Sequence, residues 1–331
     1  MVAVMVFISE SSFSANRYWI GPSGGNWNAA ANWSNRSGGA SISAIPGASD
    51  MVFFEGAANC TVDANLNVKG ISIDATYSGT ISVNSGVLIT IASSGFTQAG
   101  GTFTGGNQEI RINGPFSLSG GIFNSTSGTL QVSSNFSFTA GAFNHNNGTV
   151  TFSAAQTITG NAVFYDILFV SSGGIYTIAS GTTIKSTHNV TISGGASCTF
   201  NTGTLELTGN LTLTSTSNNS VNGGSATFVF NGTGIQTIQS AIREISVGTN
   251  ERMCALPNIE INKVSGSLHL IGLISLNGTS WRTTAGAALI DAGTSTVNIY
   301  SNITFTGEDL SLYNIHIWPN SSSITLSPAS Y

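Results

Sequence analysis

Apolar and polar positions alternate along this chain in short runs that never lengthen into a helical period. The clearest are Ile110-Arg111-Ile112, Leu130-Gln131-Val132 and Val150-Thr151-Phe152. Side chains that alternate this way project to opposite faces of an extended strand, so each run reads as a strand with one buried face. The three runs close three near-copies of one stretch: FTQAGGTFTGGNQEIRI from Phe96, FSLSGGIFNSTSGTLQV from Phe116 and FSFTAGAFNHNNGTVTF from Phe136. Each copy opens on Phe, carries Gly at its sixth position (Gly101, Gly121, Gly141) and a second Phe two residues later (Phe103, Phe123, Phe143). A twenty-residue unit of short strands and glycine turns cannot bury its own apolar face. It must stack on copies of itself, which predicts a solenoid.

A longer echo runs through the body. GTVTFSAAQTITGNAVFYDILFV from Gly148 resembles ATFVFNGTGIQTIQSAIREISV from Ala226 and, more weakly, STVNIYSNITFTGEDLSLYNIHI from Ser295. Each holds three strand-like runs, so coils of three strands are expected. At roughly twenty residues per turn and a strand spacing of about 4.8 Å, the chain beyond Cys60 should make about thirteen turns and a rod of about 60 Å. Right-handed winding follows from the handedness of parallel crossovers. The expected interior stacks Phe123 on Phe103 and Phe143 on Phe123. Asn124 and Asn144, at recurring positions beside Gly and Ser, fit either left-handed turn chemistry or a ladder of side-chain amides, with turn chemistry preferred.

Composition narrows the class. Only 7% of residues are charged, 40 are Gly, and Ser, Thr and Asn fill most polar positions, while the scarcity of helix formers leaves an all-β chain. With 40% hydrophobic residues and 18 regularly spaced Phe, the chain has too much apolar side chain to stay unfolded. A solenoid grows by adding coils, so 331 residues fit one continuous body. The boundaries read as a leader at residues 1–15, an aromatic-rich N-terminal cap at 16–60 and a β-helix over 61–331, which could continue beyond the last residue. MVAVMVFISESSFSA resembles the latter part of a secretory signal peptide without its positive leader; an ordinary buried strand is the alternative. No other stretch is long and apolar enough for a bilayer-crossing helix. A net charge of −5 without basic runs argues against nucleic acid as a partner and gives no support for anionic membranes. Cys60, Cys198 and Cys254 are odd in number and far apart, so they read as core packing residues rather than a disulfide framework or zinc site.

The densest aromatic cluster, YWIGPSGGNWNAAANWSN, carries Tyr18, Trp19, Trp27 and Trp33, followed by Pro46, Gly47, Asp50, Val52 and Phe54 and then Val62-Asp63-Ala64-Asn65-Leu66. This arrangement resembles the autotransporter-associated β-strand repeat and the Bacteroidetes-type adhesin-like surface proteins, whose units begin W-x-G-x-x-G-x-W, then A-x-W, P-G-x-x-D-x-V-x-F and V-x-D-A-N. The resemblance covers roughly residues 18–75. It implies a secreted parallel β-helix of structural or adhesive character, and it supplies no catalytic residue. The Trp cluster has two readings. It caps the open end of the first coil, or Trp19, Trp27 and Trp33 form an aromatic platform that binds glycans.

Many β-helices act on polysaccharides, and such enzymes group carboxylates on one face. Here Asp63 and Asp74 are eleven apart, Glu109 and Arg111 form an expected surface pair, Glu206, Glu260 and Asp291 stand alone in the sequence, and Glu308-Asp309 reads as a solvated turn. His145, His188, His269 and His316 show no metal spacing, and His145 replaces Ser125 of the preceding repeat as a surface substitution. The charged stretch around Arg243, Glu244, Glu251 and Arg252 is the expected protruding loop. Sequons at Asn32, Asn124, Asn135, Asn189, Asn210, Asn231, Asn277 and Asn302 follow from composition. The sequence thus assigns no catalytic residue, metal or cofactor. It predicts a secreted or cell-surface, non-catalytic β-solenoid with surface glycans or matrix as partners and end-to-end association as an option. A polysaccharide lyase or glycoside hydrolase, and a glycan-binding module, are the alternatives.

Overall fold

The computed structural model of the protein describes residues 14–170, 173–194, 198–214, 216–217, 223–240, 252–284, 289–307 and 311–317. Almost all of the apolar leader, the stretch around Arg243, Glu244 and Glu251, the Glu308-Asp309 pair and the last residues lie outside that set. The described chain is all-β apart from one short 3-10 turn at Ala30–Asn32, and it winds into a β-solenoid of about eleven turns.

Three strands make a turn, one on each of three parallel ladders. On ladder 1, Leu66 is followed in register by Ile89, Ile110, Leu130, Val150, Ile167, Val190, Leu211, Ile238 and Leu270. Ladder 2 stacks Val52, Ile71, Phe96, Phe116, Phe136, Ile158 and Ile178. Ladder 3 stacks Cys60, Ile81, Phe103, Phe123 and Phe143, and in later turns Phe164, Ser186, Leu207, Phe230 and Ile261. These columns are the buried core, and the residues between them in sequence face outward.

The expected Phe stack is present. Phe103 and Phe123 lie 5.0 Å apart at 7°, and Phe123 and Phe143 5.6 Å apart at 10°. A second stack, Phe96, Phe116 and Phe136, meets the first edge-on, as at Phe116 and Phe123 (5.0 Å, 84°). The glycine at the sixth position of each repeat turns the chain from ladder 2 to ladder 3. Gly101, Gly121 and Gly141 all have left-handed φ (57°, 73° and 89°). A Cβ on Gly121 would stand 2.4 Å from the carbonyl oxygen of Gly101, one coil away.

Four expectations need correction. The turns number about eleven, not thirteen, because later coils lengthen: Leu211 pairs with Ile238 and Ile238 with Leu270. The three long echoes start on different faces, Thr149–Phe152 on ladder 1, Thr227–Phe230 on ladder 3 and Thr296–Ile299 on ladder 2, so they share a pattern and not a position. Asn124 and Asn144 build the amide ladder: Asn144 Nδ2 donates to Asn124 Oδ1 at 2.7 Å and Asn124 Nδ2 to Thr104 Oγ1 at 3.3 Å, whereas left-handed backbone falls at Asn146 and Asn147. Finally, Cys198 and Cys254 form a buried disulfide. They are 56 residues apart in sequence, but winding brings their Cα atoms to 5.8 Å, within bridging range.

Candidate functional site

The N-terminal end is built by strand Asn16–Trp19, which pairs parallel with Met51–Phe54 and antiparallel with Trp33–Ser34. Alternation along Asn16–Trp19 turns Trp19 inward and Tyr18 outward. Trp19, Trp27 and Trp33 are 5%, 3% and 0% exposed. Trp33 meets Trp27 at 4.6 Å and Trp19 at 5.1 Å, both edge to face, and all three rings pack around Phe54 at 6.1 Å. The Trp33 indole N–H donates to the Trp27 carbonyl at 2.8 Å. Arg17 and Asp50 add a half-buried ion pair at 3.1 Å, and Asp50 also accepts from the Gly47 and Ala15 N–H groups. The three Trp rings therefore close the end of the core, and their faces are covered by protein; a sugar could not stack on them in this arrangement.

A half-buried aromatic pair lies one residue away. Tyr18 and Phe53 are register partners on the outer side of ladder 2, half-buried and stacked at 4.9 Å and 17°. Beside them lies a pocket of about 250 Å³ lined by Trp19, Ile20, Ser37, Gly38, Glu55 and Gly56 as well. The Ser37 hydroxyl donates to Glu55 Oε2 and ties the loop wall to the strand wall. The sequence pattern does not mark this pocket, because its chemistry sits on Tyr18, Phe53 and Glu55 rather than on the more conspicuous indoles.

Carboxylates that stand alone in the sequence are partnered across coils. Glu206 faces Lys185 at 3.6 Å, Glu260 faces Arg282 at 2.7 Å and Asp291 faces His269 at 3.6 Å. Glu109 and Arg111 form the expected surface pair at 2.9 Å. Asp63 accepts the Asn28 N–H, and Asp74 accepts the Thr76 N–H and hydroxyl, bonds that lower the Asp74 pKa. His145, Tyr165 and His188 stack on the outer surface at 5.7 and 4.5 Å, with His188 Nδ1 2.8 Å from Asp166. No group of three or more His, Cys, Asp and Glu side chains is arranged to hold a metal among the described residues. No helix among them is long and apolar enough to cross a membrane.

No protein-family model, curated protein or solved structure matches the chain. Its class is given by the fold itself, a parallel β-solenoid closed at its N-terminal end by an aromatic cluster.

Proposed function

We propose that the protein is an extracellular structural or adhesin-like β-solenoid, a secreted or cell-surface stalk whose flanks attach to cells or matrix. The observation that carries this reading is a pair of repeated, neutral polar columns on the outer surface of the shaft. One outward column on ladder 3 runs Thr61, Ser82, Thr104, Asn124 and Asn144; one on ladder 2 runs Ser72, Thr97, Ser117, Ser137 and Thr159. Each offers one neutral polar group per coil, at a step of about 4.8 Å along a stiff rod of about 50 Å. Many weak contacts in fixed register suit attachment, because linked sites gain avidity without strong single contacts. The Cys198–Cys254 bridge supports an oxidising compartment, where disulfides persist. The Trp-rich motif at residues 18–75 and the apolar leader support the same placement.

The test is to follow the full chain in a secreting bacterial host and to present the purified chain on beads to cells and matrix. Recovery outside the cytoplasm with Cys198 and Cys254 oxidised, and bead attachment, are expected. Release of reducing ends or unsaturated uronates from a polysaccharide would establish the enzyme reading instead.

A further inference from the structure

We propose that the pocket beside Tyr18 and Phe53 binds one neutral sugar ring. This deepens the attachment reading, on which it rests, by naming a ligand class and the place that holds it. In the outward column to which they belong, the next turns carry Ser72, Thr97, Ser117, Ser137 and Thr159, so over this run the aromatic rings fall at its first two positions. Core formation does not account for them, since the cap core is supplied by Trp19, Trp27, Trp33 and Phe54. The rings hold each other in a parallel stack, so the surface is formed before a ligand arrives and little side-chain freedom is lost on binding.

The rest of the lining carries polar groups. Ser37 binds one oxygen of Glu55, and the other carboxylate oxygen has no hydrogen-bond partner among the described residues. Gly38 and Gly56 have left-handed φ, 59° and 76°, with open space where a Cβ would project, so the rim is unobstructed. Aromatic rings beside a carboxylate suit a ring with an apolar C–H side and a hydroxylated edge: the apolar side packs against the Tyr18–Phe53 pair, and a hydroxyl donates a charge-assisted hydrogen bond to Glu55. The carboxylate disfavours uronates and phosphates. A purely apolar side chain would leave Glu55 desolvated without a donor. A cation is best held by ring faces around it, whereas one face of Tyr18 and one of Phe53 are turned to each other. The volume, below the roughly 300–1,000 Å³ of sites for larger ligands, fits a single ring.

The experiment is saturation-transfer NMR on the full chain with the methyl glycosides of glucose, galactose, mannose and N-acetylglucosamine, with glucuronate and choline as comparisons. Transfer to at least one neutral glycoside is expected, with affinity lowered about tenfold by Phe53→Ala, the equivalent of about 1.4 kcal/mol, and lowered also by Glu55→Gln. Glu55→Gln keeps the shape of the side chain and serves as the second variant if Phe53→Ala disturbs the cap, which circular dichroism reports. Absence of transfer at millimolar glycoside, binding unchanged in both variants, or a preference for choline or glucuronate would overturn the site. If no glycoside binds while coated beads still attach to cells or matrix, the site falls and the attachment reading stands. If a glycoside binds and the beads do not attach, the reverse holds.

Discussion

Lys263 is fully buried, and its ammonium group donates to Gly232 O, Gly234 O and Gln236 Oε1, three acceptors for three N–H donors. Burial disfavours its charged form and pulls its pKa below the ordinary 10.5. Lys263→Met should take this donor from the Gly232 and Gly234 carbonyls, Gln236 Oε1 keeping the Gly232 N–H, and cost about 2–4 kcal/mol, read as a lowered urea midpoint. Titration adds a signed effect. Between its lowered folded value and 10.5, the unfolded chain binds more protons at Lys263, so this group's contribution rises with pH. Cys60, Tyr77 and Tyr176 act oppositely. Burial, aided at Cys60 by Asp63 and at Tyr77 by Cys60, raises their pKa values above 9.0 and 10.0, so the folded state retains protons that the unfolded chain loses. Their contributions fall as pH rises past those unfolded values. With three groups against one, the urea midpoint should fall through the alkaline range, and Cys60→Ala should delay the onset.

A turn of this solenoid is held by corner residues as much as by strands. Asn135, Asn189 and Asn210 each place Oδ1 on the backbone N–H of the following coil, at Thr157, Asn210 and Thr237. After each corner Asn comes a buried apolar residue (Phe136, Val190, Leu211) and then an outward Ser or Thr. Corner, inward, outward therefore spells N-x-S/T, which gives the sequons at Asn135, Asn189 and Asn210 a structural origin. Asn135→Ala should leave the Thr157 N–H unpaired and cost about 1–3 kcal/mol in denaturant unfolding. Phe123→Ala, in the middle of the stack, should cost about 3–5 kcal/mol. Gly121→Ala should cost about 2 kcal/mol or more, since it adds left-handed strain and a clash with the Gly101 carbonyl. A Gly121→Ala protein as stable as the parent would refute the corner role given to this glycine.

Across the whole molecule, contacts are mostly between neighbouring coils, so stability is close to a sum over turns and their interfaces. The Cys198–Cys254 bridge is an exception, a covalent link spanning 56 residues. Closing a loop of that length removes chain entropy worth about 4 kcal/mol. Reduction, or Cys198→Ser with Cys254→Ser, should therefore lower the urea midpoint, most strongly for the turns after Phe200, as hydrogen exchange would show. The early turns, rich in stacked Phe and capped by three Trp, should keep their protection.

Local pattern was enough to determine the strands, the three-sided coil and the Phe columns, because alternation and a twenty-residue period are properties of adjacent residues. It also marked Gly101, Gly121 and Gly141 as structural. What it could not supply was any pairing between residues far apart in sequence whose separation is not the period. The Cys198–Cys254 bridge and the face on which each long echo falls depend on the lengths of irregular corners, which no alternation encodes. The same limit governed the aromatic cluster. Composition located it, but whether a ring faces the core or the solvent is set by strand register. Register buried Trp19 and turned its neighbour Tyr18 outward onto Phe53.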